Sequence, residues 1–146
     1  MNLHKFSHAK ELISIAPTID VKANLLSKEQ SDEYISYVLN KYHPWKTTGH
    51  LSIGENAGKL STEENEFTFS LSMKNEPAYI FFEQNAINKN DVVVIENAKN
   101  ISKLMENSHG MEYFISDKNA TYLIAVNWYS IEYTGDIEFL NPKLEP

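Results

Sequence analysis

This sequence predicts an α+β fold: a mostly antiparallel sheet of about five to six strands, with N-terminal helices and one inserted helix packed on it. Three observations lead there. Helical spacing dominates residues 3–42, the apolar period changes to two at Glu66, and from residue 78 onward short apolar runs alternate with turn residues. Helices at the front and strands at the back place the helices over one face of the sheet.

Leu3, Phe6, Ala9 and Ile13 recur at helical spacing, so residues 3–14 form a short amphipathic helix that ends before Pro17. Residues 18–26 carry no decisive pattern. In the second helix Ser27 and Gln30 make a capping box, and Tyr34, Ile35, Val38, Leu39 and Tyr42 form a broad apolar stripe that His43 and Pro44 end. Residues 46–65 spread Gly49, Gly54 and Gly58 among polar side chains and read as a loop, with room for one short strand around Leu51.

From Glu66 to Met73 the residues alternate, Phe67, Phe69, Leu71 and Met73 against Glu66, Thr68, Ser70 and Ser72, which predicts a strand with one wet face. Residues 74–77 make a turn, 79–83 and 92–95 are apolar on both faces as central strands are, and 85–90 is loop. Asn97 caps a third helix whose Ala98, Ile101, Leu104 and Met105 face the core, with Gly110 placed to end it. Lying between strands, that helix either crosses over the sheet or packs at one edge. Residues 112–116, 121–129, 131–133 and 137–140 then read as a meander, with a turn at 117–120.

With 146 residues, 42% of them hydrophobic and 12% aromatic, the chain is expected to fold as a single domain over 1–146. There is no cysteine, which removes disulfides, thiolate metal sites and thiol nucleophiles. Residues 1–16 interrupt their apolar side chains with His4, Lys5, His8, Lys10 and Glu11, unlike a signal peptide. The longest apolar runs, 78–82 and 122–126, are far short of a membrane span. The expected compartment is the cytoplasm, with no membrane partner.

All thirteen basic residues are lysines, and the net charge is −7. Lysine replaces arginine at phosphate or guanine only as a point charge, and an acidic field repels nucleic acid. Nucleic acid is therefore not an expected partner. The excess is uneven: residues 1–73 hold seven lysines against nine carboxylates, residues 74–146 six against eleven. Such a balance keeps a protein dissolved, and it also attracts basic partners.

The motifs exclude more than they assign. His4 and His8 have the spacing that lets two imidazoles share a metal, but Lys5 stands where the metalloprotease motif has Glu and no third ligand is indicated; no metal is expected. His43 suits the negative end of a helix, and neither His50 nor His109 has a neighbouring acid or nucleophile in the sequence. Residues 54–60 imitate a phosphate loop and fail on mechanism, because only three residues separate Gly54 from Gly58, Leu60 replaces the magnesium-binding hydroxyl, and Glu55 adds negative charge. No catalytic residue and no cofactor is expected. Two acidic groups remain, Glu63, Glu64 and Glu66 in the loop region and Glu132, Asp136 and Glu138 at the last strands; each is either a solvated face or a contact patch for a basic partner. Trp45, Trp128, Tyr129 and Tyr133 are the aromatics to watch, as core packing or as interface anchors.

The run Met111-Glu112-Tyr113-Phe114-Ile115-Ser116-Asp117-Lys118, followed by Tyr122-Leu123-Ile124-Ala125-Val126-Asn127-Trp128 and Gly135-Asp136, resembles small bacterial single-domain proteins of the toxin-immunity type. The resemblance covers the C-terminal third and carries no catalytic residue over. It implies a cytosolic protein that binds one cognate toxin domain and blocks its active site. The expected function is thus a binding protein, an immunity protein neutralising a basic toxin domain through an acidic surface with aromatic anchors: Glu132, Asp136, Glu138, Trp128 and Tyr129, with Glu63, Glu64 and Glu66 as the rival cluster. The alternative is a small-molecule-binding or enzymatic domain with a pocket between sheet and helices.

Overall fold

A computed structural model describes residues 7–137. In chain order the elements are α1 (His8–Ile15), a 3-10 turn (Ala16–Ile19), β1 (Ala23–Leu25), α2 (Lys28–Tyr42), β2 (Gly58–Ser61), α3 (Thr62–Asn65), a 3-10 turn (Phe69–Ser72), β3 (Ala78–Phe82), β4 (Val92–Ile95), a 3-10 turn (Ala98–Asn100), α4 (Ile101–Glu106), β5 (Tyr113–Ser116), β6 (Tyr122–Val126) and β7 (Ser130–Gly135). All seven strands join one antiparallel sheet in the order β1-β4-β3-β5-β6-β7-β2. The fold is α+β, with more strands than the sequence predicts.

The helices start and stop for local reasons. Ser7 caps α1 by accepting from the Lys10 amide, and the residues of the predicted first helix before Ser7 lie outside the described residues. The capping box of α2 is complete, and the helix ends at His43 in a left-handed turn with φ of 46°. Asn97 accepts from the Lys99 amide and starts the 3-10 turn that leads into α4. Helix α4 stops at Glu106, before Gly110.

Three expectations need correction. First, helices cover both faces of the sheet. The β3, β5 and β6 strands are almost wholly buried on both sides, and a strand without a wet face needs cover twice. Helices α1 and α4 pack with Ile80, Phe82, Ile115 and Ile124 on one face; Ile35 and Val38 of α2, with Leu51, pack on Phe81, Phe114 and Leu123 on the other. Second, residues 66–73 are a turn and a 3-10 turn, not a strand. Phe69 and Met73 are buried while Phe67 and Leu71 are exposed, so the four apolar residues divide at a spacing of four. The segment is tied to α4 instead of a strand, since Ser70 and Ser102 each donate a backbone amide to the other's hydroxyl (3.2 and 2.9 Å). Third, strands β1 and β2 arise from residues that read as ambiguous and as loop. Both are edge strands, where burial leaves little apolar signature.

The choice left open for α4 is settled by register. Strands β4 and β5 both flank β3 antiparallel, so they run parallel to each other with β3 between them, and α4 crosses over β3. Of the predicted last strand only Ile137 is described, buried and outside any strand; residues 138–140 lie outside the described residues. Among the described residues no helix is long and apolar enough to cross a membrane.

Candidate partner-binding surface

Strands β6 and β7 are joined by Asn127, Trp128 and Tyr129. The Asn127 side chain sets the turn: its Oδ1 accepts from the Tyr129 and Ser130 amides, both at 2.8 Å, and its Nδ2 donates to the Leu51 carbonyl at 2.8 Å. An asparagine that closes its own turn and also reaches the neighbouring loop leaves the two residues after it no choice but to point outward. Trp128 is 52% exposed and Tyr129 73%.

Register then delivers the acids. Strand β2 pairs with β7 so that Ser61 faces Ser130, which sets the start of α3 against the tip. The Thr62 amide donates to the Tyr129 carbonyl (3.3 Å), and its hydroxyl donates to the Asn127 carbonyl (2.8 Å). Glu63 and Glu64 occupy the first turn of α3, exposed, where the free amides of a helix start favour carboxylates. The fold thus joins the aromatics of one predicted cluster to the acids of its rival.

The remaining predicted residues separate. Glu66 is half-buried and burial pushes its carboxyl above the usual carboxylate range, so it leaves the exposed group. Glu132 is 4% exposed and turned inward, accepting from the Ile53 amide at 2.7 Å, the Gly54 amide at 3.3 Å and the Ser52 hydroxyl at 3.0 Å. Its carboxylate holds a loop and presents no acidic face. Asp136 follows the far end of β7, roughly 20 Å from the tip at the usual rise of a strand. Glu138 lies outside the described residues. Tyr133 is a core residue packed on Gly58, and Trp45 is exposed with the Lys46 ammonium over its ring.

Beneath the tip lies a pair that the sequence does not show. Glu112, buried at the entrance to β5, accepts from the Leu51 amide (2.8 Å) and the Trp128 amide (3.4 Å), and His50 Nδ1 lies 2.8 Å from its Oε2. The His50 ring in turn stands edge-on to Tyr129, with centroids 5.2 Å apart. One carboxylate therefore steadies both aromatics, Trp128 through its backbone and Tyr129 through His50. The only local signal for it is a charged residue beginning an apolar strand, since its partners Leu51, His50 and Trp128 stand 61, 62 and 16 positions away. His109 likewise meets a distant acid, Glu11, at 2.9 Å, tying α1 to the loop before β5.

Beside His50 a cleft of about 360 Å³ is lined by His8, Glu83, Glu112 and Trp128 with the Gly49 and Gly110 backbones. His8 packs on the Phe82 ring, and burial lowers its imidazole pKa against the raising fields of Glu11 and Glu83. A histidine held by a carboxylate can move a proton or anchor a donor. Among the described residues, however, none that lines this cleft carries a hydroxyl or thiol to act as a nucleophile, and no group of three or more His, Asp or Glu is arranged to hold a metal ion. Comparison with protein-family models, with curated proteins and with solved structures finds no match to this chain.

Proposed function

We propose that this protein holds a basic protein partner on the β6–β7 tip, with Trp128 and Tyr129 as anchors and Glu63 and Glu64 as the charges that draw the partner in. The observation that carries the reading is the juxtaposition: two large exposed aromatics on a turn fixed from three sides, with two unburied carboxylates docked beside it through Thr62. A pre-ordered Trp or Tyr binds well because little rotational freedom is lost on contact. Exposed charges around such anchors speed encounter with a partner of opposite sign, and the net charge of −7 acts in the same direction.

The finer reading is an immunity protein of a bacterial cytoplasm that neutralises the basic catalytic domain of a toxin. It rests on the resemblance of the C-terminal third together with this surface. Nuclease domains are basic because they must hold phosphate, and an acidic, aromatic surface is complementary to them.

The test is co-expression with the product of the neighbouring reading frame. The wild-type chain is expected to co-purify with it, and W128A/Y129A and E63K/E64K each to weaken binding tenfold or more while the far-UV CD spectrum is unchanged. Equal binding by both variants, or no complex with a folded wild-type chain, would overturn the reading.

A further inference from the structure

Tyr113 opens β5 with a fully buried ring that belongs to the same core as Phe69, Met105 and Val126. Among the described residues its hydroxyl is the one buried side-chain polar atom without a hydrogen-bond partner. A phenol shut away from water and left unpaired bears its full desolvation cost, so any group that can reach and bond it is favoured. Burial holds its pKa well above the ordinary value, and it stays a neutral hydroxyl that can both donate and accept.

The fold brings one carboxyl to it. Register sets Tyr113 opposite Val126, and the next carbonyl along β6, that of Asn127, accepts from the Thr62 hydroxyl at 2.8 Å, so α3 starts at this end of β5 and β6. The Glu66 amide donates to the Thr62 carbonyl at 2.9 Å where α3 ends, and the Ser102 hydroxyl of α4 donates to the Glu66 carbonyl at 3.2 Å. Phe69, three residues on, enters the core that holds the Tyr113 ring. Glu66 is thereby fixed between α3 and α4 on the face that Tyr113 occupies, near enough for its charge to act on the phenol.

The Glu66 carboxyl is half-buried and has no hydrogen bond or ion pair among the described residues. The charged groups of the surrounding elements are engaged elsewhere. Glu63 and Glu64 on α3 and Lys103 and Glu106 on α4 are exposed, and the Lys99 ammonium donates to the Leu71 carbonyl at 2.9 Å. Glu112 and Glu132 point to the opposite face of the sheet, each met by its own donors, and Lys59 pairs with Glu132 on that face. Burial raises the Glu66 pKa, so its proton arrives above the usual carboxylate range. Ionised, the carboxyl is held toward water; with a proton it loses that pull and can satisfy the hydroxyl behind it.

We propose that Glu66 and Tyr113 form a proton-operated latch: on taking up a proton, Glu66 turns inward and hydrogen-bonds the Tyr113 hydroxyl, drawing α3 onto the sheet. Because the Thr62 amide donates to the Tyr129 carbonyl (3.3 Å), the movement passes to the tip and to the helix that carries Glu63 and Glu64. The value of this to a partner rests on the binding function proposed for the tip, whereas the latch itself belongs to the free chain.

NMR titration of the free chain through the acid range tests it, following the Glu66 carboxyl carbon, the Tyr113 ring carbon that bears the hydroxyl, and the Tyr129 amide. All three are expected to move with one midpoint in the wild type. In Y113F, which keeps the core ring, the Glu66 midpoint should fall, because the protonated form loses its partner. E66Q supplies an uncharged amide in place of the acid, and at pH 7 it should hold the Tyr113 and Tyr129 signals at the positions that the wild type reaches only in acid. A Glu66 midpoint that stays or rises in Y113F would overturn the latch, as would Tyr113 and Tyr129 signals in E66Q that match the wild type at pH 7. With no partner in the sample, either result is distinct from a failure of the tip to bind one.

Discussion

Glu132 and Glu112 are charged residues within or beside apolar strands, and each ends up buried with a set of donors around it. Removing such an acceptor strands buried amides, so E132A is expected to lower unfolding free energy by about 2–4 kcal/mol in urea titration, and E132Q, which keeps one carbonyl oxygen, by less. Glu66 gives a pH signature. Its folded pKa lies above the ordinary 4.5, so the proton binds more tightly to the folded chain; that stabilisation is full below the unfolded value and lost as pH rises through the folded one. Thermal denaturation should therefore show E66Q more stable than wild type at pH 7 and indistinguishable from it at pH 4. None of these roles could be read from neighbours in the sequence. Alternation sends Glu132 to solvent, and only the loop at 52–54, some 80 positions away, covers it.

Elements were legible where their signals are local. The Ser27–Gln30 box and the stripe of α2 stand in the sequence as they stand in the fold, and S27A is expected to cost about 1 kcal/mol by chemical denaturation. Residues 66–73 mislead because alternation over eight residues also fits buried positions four apart, and the reciprocal Ser70–Ser102 bonds that decide between them join segments 32 positions apart. The β6–β7 turn lies between these cases. Its position was visible as the end of an apolar run, while the bond from Asn127 to Leu51 was not. N127D keeps the turn-closing acceptor and loses the donor to Leu51. It should cost roughly 1–3 kcal/mol and leave W128A/Y129A-sensitive binding in place, whereas N127A should lose both stability and binding, as denaturation and affinity measurements on the same samples would show.

At the scale of the molecule, the two ends of one sheet carry different chemistry. The Trp128–Tyr129 tip joins exposed rings to Glu63 and Glu64; the other end gathers Glu76, Asp117 and Asp136 around a cleft. Composition foretold the excess of negative charge but not its distribution, because register and crossover, not proximity in the chain, decide which acids meet which aromatics. Burial of apolar strands on both faces forced helices onto both, leaving the strand ends as the places where polar groups collect. The most direct measurement of the central claim is amide hydrogen exchange by mass spectrometry on the chain alone and in complex with the neighbouring-frame protein. Protection gained on binding should concentrate in residues 61–66 and 127–130; protection confined to 72–76 and 117–122, with the tip unchanged, would contradict the assignment of the tip as the partner surface.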